Sequence, residues 1–236
     1  MRVAIHQPNY IPYPGFFAKL YLSDVFVIYD TAQFTRGGFI NRNRIRTFSL
    51  NGWIWLTLPV GKKNFKGVDI KHVKITDKNV FNKHSRTLTA MYSRAPFFDK
   101  EVCEIIETPH EYLSEHNVFI IRYLLKKLRI DHPRIILASE LGISISPGTQ
   151  GLIDIVKFLG GDEYLSGIGA REYLDQRLFK QESISLSFLD YKPWRYNQVH
   201  PGFVENMSIV DAIFCIGFEE AASKLKETKF HRVIHF

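Results

Sequence analysis

Two apolar runs end on side chains capable of chemistry: VAI is followed by His6 and Gln7, and VFVIY by Asp30. A histidine with its ordinary pKa near 6.5 can act as general base, and a neighbouring aspartate can orient it or bind a substrate hydroxyl. Without chemistry, the same residues are a loop cap and a strand end. A third constellation is Asn41-Arg42-Asn43-Arg44-Ile45-Arg46. In extended backbone its three arginines project from one face about 7 Å apart, a spacing that suits a phosphate or a carboxylate pair. The plain alternative is a hairpin edge kept from aggregating by charge.

Between His6 and Lys19 the segment QPNYIPYPGFFA holds three prolines and a glycine. Fixed backbone torsions make it a rigid ligand wall, with Tyr10, Gly15 and Lys19 as candidate contacts. Gly15 would let a ligand approach the start of the next helix, where free N–H groups attract anions. Ser166-Gly167-Ile168-Gly169-Ala170-Arg171 is a second glycine-rich turn that could cradle an anion. In YKPWRYNQVHPGF (191 to 203), Tyr191, Trp194, Tyr196 and Phe203 stand beside Gln198 and His200, a mixture able to stack on a sugar or a base, or simply to pack the loop down. His84 falls on an apolar helical stripe, which fits a core histidine as well as a site residue.

These residues need elements to hold them. VAIH (3 to 6), the helical GFFAKLYL and VFVIYD (25 to 30) resemble a βαβ unit of central, parallel strands. RIRTFSL and WIWLTLPV flank Asn51-Gly52, the favoured pair for a tight hairpin turn with positive φ at both central positions. VDIKHVKI (68 to 75) is expected to extend that hairpin, after the Lys-rich loop GKKNFKG. Asp77 would cap a helix carrying Phe81, His84, Leu88 and Met91, and two more helices follow near 99 to 107 and 110 to 129. From Arg134 the α/β rhythm returns, with RIILAS, EYLSG and ISLSFLDY as strands and GLIDIVKFLGG and AREYLDQRLF as helices. The expected architecture is α/β: a mainly parallel sheet of about five strands with helices on both faces, in one domain over residues 1 to 236. A hairpin and helices are inserted between 31 and 133. Ligands of such sheets bind beyond the carboxyl ends of the strands, where His6, Asp30 and Gly167 fall.

The chain has 236 residues, 45% hydrophobic and 23% charged, an ordinary globular composition. No run approaches the 18 or so apolar residues of a spanning helix, and MRVAIHQPNY offers no export signal, so a cytoplasmic protein without a membrane span is expected. Cys103 and Cys215 read as buried free thiols. A net charge of +7 favours an anionic small-molecule partner, while nucleic acid is not expected. There is no GxxxxGK[ST] loop, no GxSxG elbow, no HExxH and no paired CxxC, which removes P-loop kinase, serine-hydrolase and zinc-enzyme readings. No metal site is marked by the nine histidines, and no motif identifies a cofactor.

IHQPNYIPYPGFFAKL, SDVFVIYDTAQF, NRNRIRT, WIWLTLPV, Lys83-His84, YLSGIGAREYLD and MSIVDAIFCIG occur in order along almost the whole chain. In these blocks the sequence resembles the WbqC-like proteins of bacterial O-antigen and surface-polysaccharide gene clusters. The resemblance implies a cytoplasmic role in surface-glycan assembly, with transfer of glycine or a similar acyl group to an amino sugar or sugar nucleotide, from a carrier-bound or other donor. It implies no catalytic residue. A fainter likeness to nucleotidyltransferases places Tyr13-Pro14-Gly15-Phe16 where that superfamily has HxGH. Both histidines are missing, which puts adenylyl chemistry in doubt.

Overall fold

The computed structural model describes residues 1 to 61 and 65 to 228, and the backbone of a strand at 232 to 235. Lys62, Lys63 and Asn64 of the Lys-rich loop lie outside the described residues. The main sheet contains β1 (Arg2–His6), β2 (Val25–Ile28), β5 (Arg134–Leu137), β6 (Glu163–Gly167), β7 (Ser185–Asp190) and β8 (Arg232–His235). Their order is β5-β2-β1-β6-β7-β8, with every pairing parallel except β7 with β8. The five parallel strands are those expected, and β8 adds an antiparallel edge that the sequence did not announce. β3 (Arg42–Arg46) and β4 (Trp53–Thr57) form a separate antiparallel pair.

The strands are apolar on both faces because each face meets helices. On one, Val3, Ile5, Val25 and Val27 pack with α5 (Gly148–Phe158) and α6 (Gln176–Gln181). On the other, Ala4, Phe26 and Ile28 meet α1 (Pro14–Tyr21), α7 (Ile209–Glu227, kinked at Gly217) and the inserted helices α2 (Asn79–Tyr92), α3 (Lys100–Glu107) and α4 (Leu113–Lys127). The alternation follows from the two-residue repeat of a strand. Both cysteines are free and buried. Among the described residues no helix is long and apolar enough to cross a membrane.

Three local expectations change. The hairpin turn is a six-residue loop, 47 to 52, in which only Gly52 has positive φ (72°). Backbone bonds from Thr47 N to Gly52 O and from Gly52 N to Ser49 O close this longer loop, and side chains add to them, the Ser49 hydroxyl donating to the Trp53 carbonyl and Thr47 to Ser49. Residues 68 to 75 do not extend the hairpin. They form a 3-10 turn at Ile70–His72 between bridges to Gln33 and Tyr112. AREYLDQRLF is not one helix, because the Asp175 carboxylate accepts from Arg177 N and starts α6 only there.

Candidate functional site

Counting the five parallel strands in chain order, the sheet runs third, second, first, fourth, fifth. Connections leave β1 and β6 in opposite directions, and a crevice opens beyond their carboxyl ends. A cavity of about 850 Å³ lies there, large enough for a nucleotide-sized ligand. Its walls include His6 and Gln7 after β1, Lys19 from α1, Ser166, Gly167 and Gly169 after β6, and Ser146 to Thr149 at the start of α5.

Lys19 sits on a helix whose apolar face is buried, and its side chain is only 5% exposed. Its Nζ donates to the Ile5 carbonyl at 2.8 Å. Burial holds its pKa down to about 7, so the amine shares its proton with solvent near neutrality. His6 Nδ1 lies 2.9 Å from the Gln7 carbonyl, a contact that requires the proton on Nδ1 and leaves Nε2 as an acceptor. The ring packs edge-on against Phe16, with centroids 4.9 Å apart. Burial first, and the Lys19 charge second, lower its pKa to about 3. The ordinary value near 6.5 expected for this imidazole does not hold in the fold, where burial favours the neutral form of His6.

The anion-seeking part is backbone. An extended Pro147 precedes α5 without a side-chain cap, so the first-turn N–H groups at Gly148 and Thr149 face the cavity region unanswered by a side chain. Opposite, a methyl group built on Gly167 or Gly169 would meet no protein atom within 4 Å, so the space that these glycines leave belongs to the cavity. The Thr31 hydroxyl, also lining the cavity, is buried without a hydrogen-bond partner. Among the described residues no three His, Cys, Asp or Glu side chains converge as a metal site would require.

The other predicted contacts lie elsewhere. Asp30 points into a neighbouring cavity, where both its oxygens accept from Ser139. Gly15 does not open the start of α1 to a ligand, since a side chain there would overlap the Tyr13 ring that fills the space. The hairpin arginines do not converge on the cavity. Arg46, 1% exposed, donates to the carbonyls of Gly52, His200, Pro201 and Gly202. Arg44 donates to Asn206 O at 3.2 Å and lies over Trp53, while Arg42 donates to Gly37 O at 2.5 Å and lies 4.1 Å over Trp55. Tryptophan faces hold the Arg42 and Arg44 guanidinium groups, and backbone carbonyls accept from all three arginines.

Asn41 donates to Leu58 O, and Asn43 to Tyr10 O and Ile11 O, so this asparagine pins the loop after β1. Asn117 completes the pinning through Pro8 O and Ile40 O at 2.8 and 2.7 Å. Tyr10 and His84 are buried against each other, Tyr10 Oη lying 2.8 Å from His84 Nδ1. Gln198 donates to the buried Asp211 carboxyl, which also accepts from Tyr92 and Tyr196. Arg171 is exposed beyond the glycine turn and outside the cavity wall. Residues absent from the sequence reading are Thr31, Asp69 and the SISPGT segment before α5. A Pro-Gly pair directly preceding a helix on the same sheet edge was the available signal for the last.

The sequence profile of the WbqC-like protein family matches residues 7–223. The chain belongs to this family. An uncharacterized protein of Mycobacterium tuberculosis, Rv1507c, is 34% identical over 225 residues, covering 92% of this chain and 95% of that one. No solved structure matches the chain. The WbqC-like profile spans the hairpin, the pinning asparagines and the cavity wall from Gln7 onward, while Ile5 and His6 precede the matched region.

Proposed function

We propose that this WbqC-like protein is a transferase that moves an acyl or aminoacyl group onto the amine of an amino sugar or sugar nucleotide in surface-glycan assembly. The observation that carries the reading is Lys19: a buried amine with a pKa of about 7, on the wall of a cavity at the reversal point of the sheet. The attacking amine loses its proton to neutral Lys19 as the bond to the acyl carbon forms. The donor's sulfur or oxygen then leaves with the electron pair of the broken bond. The α5 N-terminus and the Gly167–Gly169 turn would hold phosphate or the developing oxyanion. His6 would accept a hydrogen bond from the acceptor and orient it.

The test is purified protein incubated with glycyl or acyl thioesters and nucleotide-linked amino sugars, with product followed by mass. Product formed by the native chain and lost in Lys19→Met supports the reading. Binding with no product from any donor would turn it into a binding or scaffold subunit.

A second reading, adenylylation, draws on the strand order and the uncapped α5 N-terminus, which together suit a nucleotide triphosphate. It requires ATP with magnesium to bind at this cavity, and a flat calorimetric titration would dismiss it.

A further inference from the structure

A second cavity, of about 690 Å³, opens at the carboxyl ends of β2 and β5, and Asp30, Lys71, Ser114, Arg122 and Ser139 help to line it. It is divided from the first by residues 29 to 33. Lys71 N donates to Asp30 O and Ile70 N to Ala32 O, both at 2.9 Å, which fixes that wall. Consecutive side chains along it then serve different cavities: Tyr29 and Thr31 line the first, Asp30 the second.

Asp30 is 3% exposed, and Ser139 alone answers its carboxylate, through N at 3.0 Å and Oγ at 2.6 Å. No cation pairs with it among the described residues. Each oxygen keeps acceptor capacity beyond its bond to Ser139, and a donor in the cavity suits it: a hydroxyl or an ammonium group.

The opposite wall has the reverse character. The 15-residue helix α4 starts here behind Tyr112, with no side-chain cap. Ser114 in its first turn is 4% exposed, and its hydroxyl has no hydrogen-bond partner among the described residues. Lys71 and Arg122 line the same space, and neither has an ion-pair partner among the described residues. The Leu113 N–H is taken by Val73 O, but a helix start without a side-chain cap, the Ser114 hydroxyl open to the cavity and two cations without ion-pair partners suit a phosphate. Glu115 also lines the cavity, but from an exposed position.

We propose that this cavity is a separate site for a phosphate-bearing polyol or amino sugar, with phosphate at the α4 N-terminus beside Lys71, Arg122 lining the cavity about 12 Å further along α4, and a hydroxyl or ammonium group on Asp30. The binding does not depend on the transferase reading, since the wall at 29 to 33 divides this cavity from Lys19.

The full chain is titrated calorimetrically at low salt with glucosamine 6-phosphate, glucosamine and inorganic phosphate. The ester is expected to bind more tightly than either fragment. The double variant K71A/R122A should weaken it about tenfold. Asp30→Asn should weaken the ester but leave inorganic phosphate unchanged, while Ser114→Ala should weaken both; if Asp30→Asn does not fold, Ser139→Ala, which frees the Asp30 carboxylate, should change the ester affinity and leave inorganic phosphate unchanged. An ester affinity unmoved by K71A/R122A, or lost instead in Lys19→Met, overturns the proposal. Ester binding of the expected pattern in a protein that transfers nothing sinks only the transferase reading. Transfer with an ester affinity indifferent to K71A/R122A sinks only the second site.

Discussion

Lys19 Nζ donates to the carbonyl of Ile5, one residue before His6, and so ties α1 to the end of β1 at the cavity. The bond places the amine beside an imidazole, and burial drives both groups towards their neutral forms.

Because burial lowers the lysine pKa from 10.5 to about 7, the unfolded chain binds more protons than the folded one between those values. Stability from this group therefore rises with pH from about 7 towards 10, by up to about 1.4 kcal/mol per unit. Urea unfolding of the native chain and Lys19→Met at pH 6, 8 and 9.5 checks it: their difference in stability should change with pH in that sense, and a constant difference would refute the burial argument.

The pH–rate profile separates Lys19 from His6. The acid limb should have its midpoint near 7 and should persist in His6→Asn at reduced rate, since an imidazole of pKa about 3 does not titrate there. Loss of the limb in His6→Asn, with its retention in Lys19→Met, would reverse the assignment.

Gly169→Ala should leave thermal stability within about 0.5 kcal/mol of native, because the added methyl meets no protein atom, while weakening ligand binding several-fold. Gly15→Ala should act on both, because the added methyl displaces the Tyr13 ring that lines the cavity: a loss of roughly 1 kcal/mol should show in the melting temperature together with altered ligand binding.

Arg46→Met should destabilise by about 3 kcal/mol in urea, because four carbonyls lose a buried donor. Arg42→Met, which loses a stacking contact over Trp55 and one carbonyl bond, should cost about 1 kcal/mol. Equal effects would restore a shared ligand-binding role to the arginine run.

Much of the scaffold was readable one segment at a time. VAIH and VFVIY are unbroken apolar runs and became central strands, and Asn51-Gly52 lies in the loop that joins the hairpin strands. The Asp77 cap is present as well, its carboxylate accepting from Asn79 N. β8 was missed because an edge strand of four residues carries no periodic signal apart from the strand it pairs with.

The order of polar and apolar residues determined the α/β class, the five parallel strands and the presence of His6, Lys19 and Gly167 near one sheet edge. It could not say which side chains meet. Asp30 and Thr31 are neighbours in the chain, but the turn that follows β2 sends them into different cavities. Arginines spaced for a phosphate met carbonyls from residues about 150 positions away instead. The Lys19 amine acquired its perturbed pKa from burial, a property of packing that no local spacing encodes.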